Sequence, residues 1–203
     1  MKLTWLGHAC FLLEQDGYQI IVDPYTGVEG HADVAAAAHA VYCSHQHFDH
    51  NAAGNVTLLP QRESPFTVRT VATCHDDQSG ALRGENCIHI FTAGGVTVAH
   101  LGDLGHQLSE EQLAAIGSVD GILIPIGGTY TVDAAGAKAV CDAIGPKWVV
   151  PMHYRHGSYG FQVLTTVEDF AALWKEEQVR RLPSAEMENA VDLSGVYVLT
   201  FGA

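Results

Sequence analysis

Val41-Tyr42-Cys43-Ser44-His45-Gln46-His47-Phe48-Asp49-His50 is the stretch that decides the fold. A β-rich run over residues 40–43 stops at Ser44. Four side chains able to hold a metal follow within six residues: His45, His47, Asp49 and His50. His45 and His47 are two apart, so an extended backbone sends both imidazoles to the same side. A turn after Phe48 lets Asp49 and His50 serve a second position. Asn51-Ala52-Ala53 reads as the start of a helix, with Asn51 near its cap. One strand-to-helix connection thus offers ligands to two adjacent ions. Neutral imidazole and carboxylate suit zinc first, with manganese or iron as alternatives. A lone histidine would read as a polar loop residue; three His and one Asp at H-x-H-x-D-H spacing read as a metal site.

Working outward, the 203 residues predict a single domain spanning 1–203, and the 47% hydrophobic content supplies a sizeable core. Only 16% of the residues are charged, which argues against disorder. Asp and Glu number 23 against 10 Lys and Arg, a net charge of −13. Such a chain repels nucleic acid, and no basic patch offsets the repulsion. The five cysteines are scattered and odd in number, which predicts a reducing cytoplasm rather than a disulfide framework. The apolar opening is interrupted by Gly7-His8, unlike a signal peptide, and no run is long enough to span a bilayer. A small-molecule substrate is the expected partner, and a homo-oligomer is the common default.

Residues 2–6, 10–15 and 19–22 predict three strands in an antiparallel meander. Residues 32–38 are Ala-rich and predict a short helix. Residues 66–73 predict a strand, and 87–92 with 96–101 a hairpin. Ser109 and Gln112 have capping-box spacing for a helix reaching Ile116. Residues 121–126 read as a buried strand, 133–144 as a helix stopped by Gly145-Pro146, and 147–150 as another strand. Residues 168–177 predict an amphipathic helix burying Phe170, Leu173 and Trp174. Strands at 179–182 and 196–201 follow, with a surface loop over 183–195 between them. Strands alternating with helices indicate α/β packing with parallel pairing.

Further candidates stand at predicted strand ends. Asp23 precedes Pro24 and is expected to orient a ligand histidine through its second ring nitrogen. His75 follows a strand and is a third ligand for the first ion. Asp103 projects between glycines, where a carboxylate can bridge two ions. His153 again stands just past a strand. His100 has opposite parity to Asp103 and is excluded as a ligand. Arg83 is the one cation of the loop over 77–86. It either binds a substrate anion or pairs with Asp76, Asp77 or Glu85. His8, Tyr130, Tyr154 and His156 are weaker candidates for substrate contact or proton donation.

The ordered landmarks Asp23, His45-Gln46-His47-Phe48-Asp49-His50, His75, Gly102-Asp103 and His153 resemble the metallo-β-lactamase superfamily over nearly the full chain. Leu6-Gly7-His8-Ala9, Ile126-Gly127-Gly128 and Pro151-Met152-His153-Tyr154 are similar to the branch containing the L-ascorbate-6-phosphate lactonase. The resemblance implies a four-layer αββα sandwich of two mixed sheets with helices on the outer faces. It implies one ion on His45, His47 and His75, a second on Asp49, His50 and His153, and Asp103 between them. The implied activity is hydrolysis of an ester-type bond by water activated between ions about 3.5–4 Å apart. A lactone or other cyclic ester is first choice and a phosphodiester second, with Asp49 orienting the nucleophile. The rival is a di-iron redox or metal-dependent binding protein of the same fold. His47 stands where related di-iron proteins carry Glu, which favours hydrolysis.

Overall fold

A computed structural model describes residues 1–188 and 193–201. The chain opens with β1 (Lys2–Gly7), β2 (Cys10–Gln15) and β3 (Tyr18–Val22), then β4 (Ala36–Ala38), β5 (Ala40–Tyr42) and β6 (Val56–Leu58). The strands β7 (Thr67–Cys74), β8 (Glu85–Ala93) and β9 (Val96–His100) follow. Next come α1 (Glu110–Ile116), β10 (Gly121–Pro125), α2 (Ala134–Ile144), β11 (Trp148–Met152) and α3 (Val167–Ala171). Finally β12 (Val179–Arg181), β13 (Glu186–Met187) and β14 (Gly195–Val198) close it.

Two mixed sheets face each other. The first has the order β13-β1-β2-β3-β5, the second β12-β14-β11-β10-β9-β8-β7. The β1-β2-β3 meander is antiparallel, and β3 pairs β5 in parallel. In the second sheet β9, β10, β11, β14 and β12 run parallel, while β7 and β8 are antiparallel. Alternation sorts the side chains. Leu3, Trp5, Phe11, Leu13, Ile20 and Val22 face the second sheet across the main core. Every residue of β10 and β11 is buried, as expected of parallel strands covered on both faces. The capping box at Ser109 and Gln112 starts α1, and Asp133 caps α2, whose end is set by left-handed Gly145.

The outer layer over the first sheet is not built from the predicted Ala-rich helix. Residues 36–38 form β4, paired in parallel with β6. Ala38 is buried with Cys10, Ile21, Tyr25, Val28 and Val56, so packing against the sheet overrides alanine's helix preference. The expected helix after Asn51 is a single 3-10 turn, Ala53–Asn55; Asn51 does not cap it but donates to Gln46 at 2.6 Å. The helix over 168–177 is also shorter than predicted, and Leu173 is exposed. The loop expected over 183–195 contains β13, which pairs β1; residues 189–192 of it lie outside the described residues. Among the described residues no helix is long and apolar enough to cross a membrane.

The strands β1, β3, β5, β7, β9 and β11 all end toward one edge of the sandwich. The predicted site residues follow those ends, where ligands bind in layered α/β sheets.

Candidate metal centre

Asp103 is the point of convergence. It stands beyond β9 on a tight turn at Gly102, whose φ is +56°. A side chain at Gly102 would overlap Asn86 and Ser44, so only glycine lets the turn approach so closely. Asn86 Oδ1 accepts the Asp103 N–H at 2.9 Å and fixes the turn. The carboxylate then meets four imidazoles from three separate segments. His50 Nε2 lies 3.1 Å from Oδ1; His75, His153 and His45 Nε2 lie 3.1, 3.3 and 3.9 Å from Oδ2.

The donors sort into overlapping groups. Ligand-capable atoms of His45, His47 and His75 lie within 4.8 Å of one another, as do those of His45, His50 and Asp103. A further group within the same limit joins His8, Asp49, His50 and His153. His45 Nε2, His50 Nε2, both ring nitrogens of His153 and Asp103 Oδ1 are buried without hydrogen-bond partners. Buried polar atoms are ordinarily paired. Unpaired nitrogens and a carboxylate oxygen at one point fit a divalent ion with N/O preference.

Behind this layer, Asp23 is completely buried. It accepts from Ser44 N and Ser44 Oγ at 2.6 Å each and from His50 Nδ1 at 2.7 Å. That contact turns the Nε2 of His50 toward Asp103. Burial acts to raise the Asp23 carboxyl, but the charges of His50 and His100 and the bonds from His50 and Ser44 outweigh it, drawing it down to about 2. Burial acts to lower His50, yet Asp103 and Asp23 on either side hold it well above the usual histidine range, so a cation on Nε2 would displace a proton there. Burial lowers His8 and His45 to about 3, leaving them neutral and able to ligate. His100 uses both nitrogens on backbone: Nε2 donates to Ala9 O at 2.8 Å and Nδ1 accepts from Gly102 N at 3.1 Å. It supports the turn and is not a free donor.

Three site residues, His8, Asp23 and His153, have φ of +50°, +49° and +52°. Left-handed backbone at a residue other than glycine costs about 1–3 kcal/mol and clusters at functional sites. The His153 N–H donates to His8 O at 3.1 Å, tying the two sheets together at the site.

Several weaker candidates fall elsewhere. His8 sits inside the cluster rather than at its mouth: Nε2 is 3.4 Å from Asp49 Oδ2 and its ring centroid 4.0 Å from that of His153. Tyr154 is a correction. Adjacent to His153, it points the opposite way and is buried against Trp5, ring centroids 5.5 Å apart. His156 is also a correction: it lies exposed in a turn with Tyr159, away from the cavity. Tyr130 and Arg83 do reach the site.

A cavity of about 390 Å³ opens over the donors. His47, Asp49, His75 and Asp103 form its floor, and Phe48, Tyr130, Phe161 and Arg83 its walls. A recess of about 670 Å³ lies on the other side of His45 and His47, but Asp49 and Asp103 are absent from its lining, so the smaller cavity is the reacting one. Phe48 and Phe161 were not singled out from sequence; neither has a periodic neighbour to signal it. Asp76 was also missed as an organiser. It accepts backbone N–H bonds from Gln78, Gly80, Leu82 and Arg83 at 2.7–2.9 Å, folding the loop so that Arg83 returns to the cavity. The Asp-x-x-Ser-Gly run is the turn chemistry that could have shown it.

Comparisons with known proteins agree with this geometry. Residues 2–153 match the Beta-lactamase superfamily domain. A UPF0173 metal-dependent hydrolase of Carboxydothermus hydrogenoformans is 29% identical over 193 residues, covering 76% of this chain and 84% of that one. A UPF0173 protein of Pyrococcus abyssi is 31% identical over 185 residues, covering 79% and 85%. The crystal structure of a candidate Zn-dependent hydrolase of the metallo-β-lactamase superfamily from Thermotoga maritima superposes with a TM-score of 0.76 and 32% identity. It covers 98% of this chain and 97% of that one. Fold, convergent donors and relatives together make this chain a member of the metallo-β-lactamase superfamily, in its UPF0173 family of metal-dependent hydrolases.

Proposed function

We propose that the protein hydrolyses an ester-type bond in a small molecule, a lactone or other cyclic ester before a phosphodiester. The carrying observation is the Asp103 carboxylate, within 3.1–3.9 Å of four imidazoles from three segments. In this reading His45, His47 and His75 would hold one divalent ion and Asp49, His50 and His153 a second, with Asp103 available to either. Zinc is first choice, ahead of manganese and iron. Such ions supply Lewis acidity and bring the pKa of water toward neutrality.

The chain's own groups do the rest. Asp49 faces the cavity with Oδ2 near His8 Nε2 at 3.4 Å, and so orients the attacking water and takes its proton. Burial acts to raise the Asp49 carboxyl, but the His8 hydrogen bond and the His50 charge hold it well below the usual carboxylate range, which keeps it ionised. Water adds to the acyl carbon, the acyl C–O bond breaks, and the proton taken by Asp49 passes to the departing alkoxide; a lactone opens to one hydroxy acid, and an open-chain ester gives an acid and an alcohol. The aromatic walls limit access of bulk water. All five cysteines are free, which supports a reducing compartment and the cytoplasmic assignment.

A substrate panel at fixed metal tests this reading. Turnover of γ- and δ-lactones above that of bis(para-nitrophenyl) phosphate is expected. Activity confined to phosphodiesters would reject the lactone preference, and redox-active iron without hydrolysis would favour the di-iron alternative.

A further inference from the structure

Arg83 is the cation of the cavity wall. Among the described residues Lys2, Lys138, Lys147 and Arg181 are in ion pairs with carboxylates, and the other lysines and arginines, Arg83 among them, are not. Arg83 has no carboxylate within ion-pair distance among the described residues, in a chain with 23 acidic side chains. The sequence alternatives Asp76, Asp77 and Glu85 are not its partners. Asp76 is occupied by backbone N–H groups. The guanidinium has five N–H donors, and its one hydrogen bond runs from Nη2 to Thr129 O at 3.0 Å. It is half-buried at the cavity wall, with Cζ 5.8 Å from the Tyr130 ring centroid.

The rest of the wall is aromatic. The Phe161 ring lies 6.3 Å from both Phe48 and Tyr130, centroid to centroid. Phe48 is 56% exposed and Tyr130 38%, an uneconomic placement for aromatic surface unless a ligand covers it. The cavity therefore presents an aromatic slot, an uncompensated cation at its rim and the donor cluster on its floor.

We propose that this cavity selects an ester carrying one carboxylate on an aryl body, with the aryl ring between Phe48, Tyr130 and Phe161 and the carboxylate on Arg83. The assignment rests on the ester-hydrolase reading above. A planar carboxylate matches the free edge of a guanidinium. A phosphate dianion fits less well. Arg83 is the only Lys or Arg lining the cavity among the described residues, Asp49 and Asp103 share the floor, and the whole chain carries −13.

The test compares para-acetoxyphenylacetate with its neutral amide and with the matching phosphate monoester, using zinc-loaded wild type and Arg83→Met. The carboxylate ester is expected to exceed the amide in kcat/KM by about 10–100-fold in the wild type, and that ratio to fall to near one in Arg83→Met. A second readout needs no turnover: calorimetric binding of para-hydroxyphenylacetate and its amide to metal-free protein. The carboxylate should bind about tenfold tighter, and Arg83→Met should remove the difference. Equal kcat/KM for the two esters with equal binding overturns the proposal while leaving hydrolysis intact. A preference for the phosphate overturns the monoanion choice. Absent hydrolysis of every ester with the binding preference retained rejects the ester chemistry and keeps the Arg83 recognition.

Discussion

Replacing Asp23 by Asn separates support of the metal centre from support of the fold. Asp23 is an acceptor for Ser44 N, Ser44 Oγ and His50 Nδ1 at 2.6, 2.6 and 2.7 Å. Asn has one acceptor oxygen and places an NH₂ group against a donor. A hydrogen bond to a charged group contributes about 1.5–3 kcal/mol, and a buried donor left unpaired costs a similar amount. The metal-free protein should therefore lose about 2–4 kcal/mol of stability, read by urea unfolding. His50 is no longer held in the orientation that points Nε2 at Asp103, so zinc affinity should fall about 10–100-fold, the usual effect of removing such a partner. Competition with a chromogenic chelator, on protein shown to be folded, measures that second quantity separately. Zinc affinity within twofold of wild type, alongside the stability loss, would refute the orienting role and leave Asp23 as a purely structural acid.

Two other substitutions have opposite signatures. His100→Ala strips the bonds to Ala9 O and Gly102 N, so it should cost about 2–4 kcal/mol in urea unfolding but shift zinc affinity less than about threefold. An equal loss of metal would show that His100 belongs to the donor set. Asp120 joins the starts of three neighbouring strands, accepting from Thr97 N at 2.8 Å and from Lys147 Nζ at 2.7 Å. Burial acts to raise its carboxyl, but Lys147 and the Thr97 N–H outweigh that and lower it. A lowered folded pKa stabilises above the unfolded value of about 3.9 and is lost as pH falls through the folded one. Melting temperatures from pH 7 to 2.5 should show Asp120→Asn below wild type at neutral pH, with the gap closing in acid. A gap constant across pH would refute the ionic contribution.

The sheets were legible because period two and period 3.6 are written in the apolar residues. Leu3, Trp5, Phe11 and Leu13 alternate inward, and Ser109 with Gln112 announces α1. The donors were legible because each follows a strand, and strands carried to one edge deliver their ends together. Local reading failed where tertiary contact decides. The Ala-rich run became β4 because Ala38 is buried under the first sheet, which no propensity scale sees. Tyr154 falls past the end of β11, after the left-handed His153, where strand alternation no longer says which way a side chain turns. Left-handed backbone at His8, Asp23 and His153 had no glycine to advertise it. The return of Arg83 to the cavity depends on four backbone bonds to Asp76 and is a property of the folded loop alone.

Counting metal per chain, by elemental analysis after equilibrium dialysis against zinc, meets the convergence of donors on Asp103 head-on. Two zinc ions per wild-type chain are predicted, falling below one in an Asp103→Ala protein that keeps its circular dichroism. Fewer than one ion in the wild type, or the same count in both proteins, would contradict the centre described for this chain.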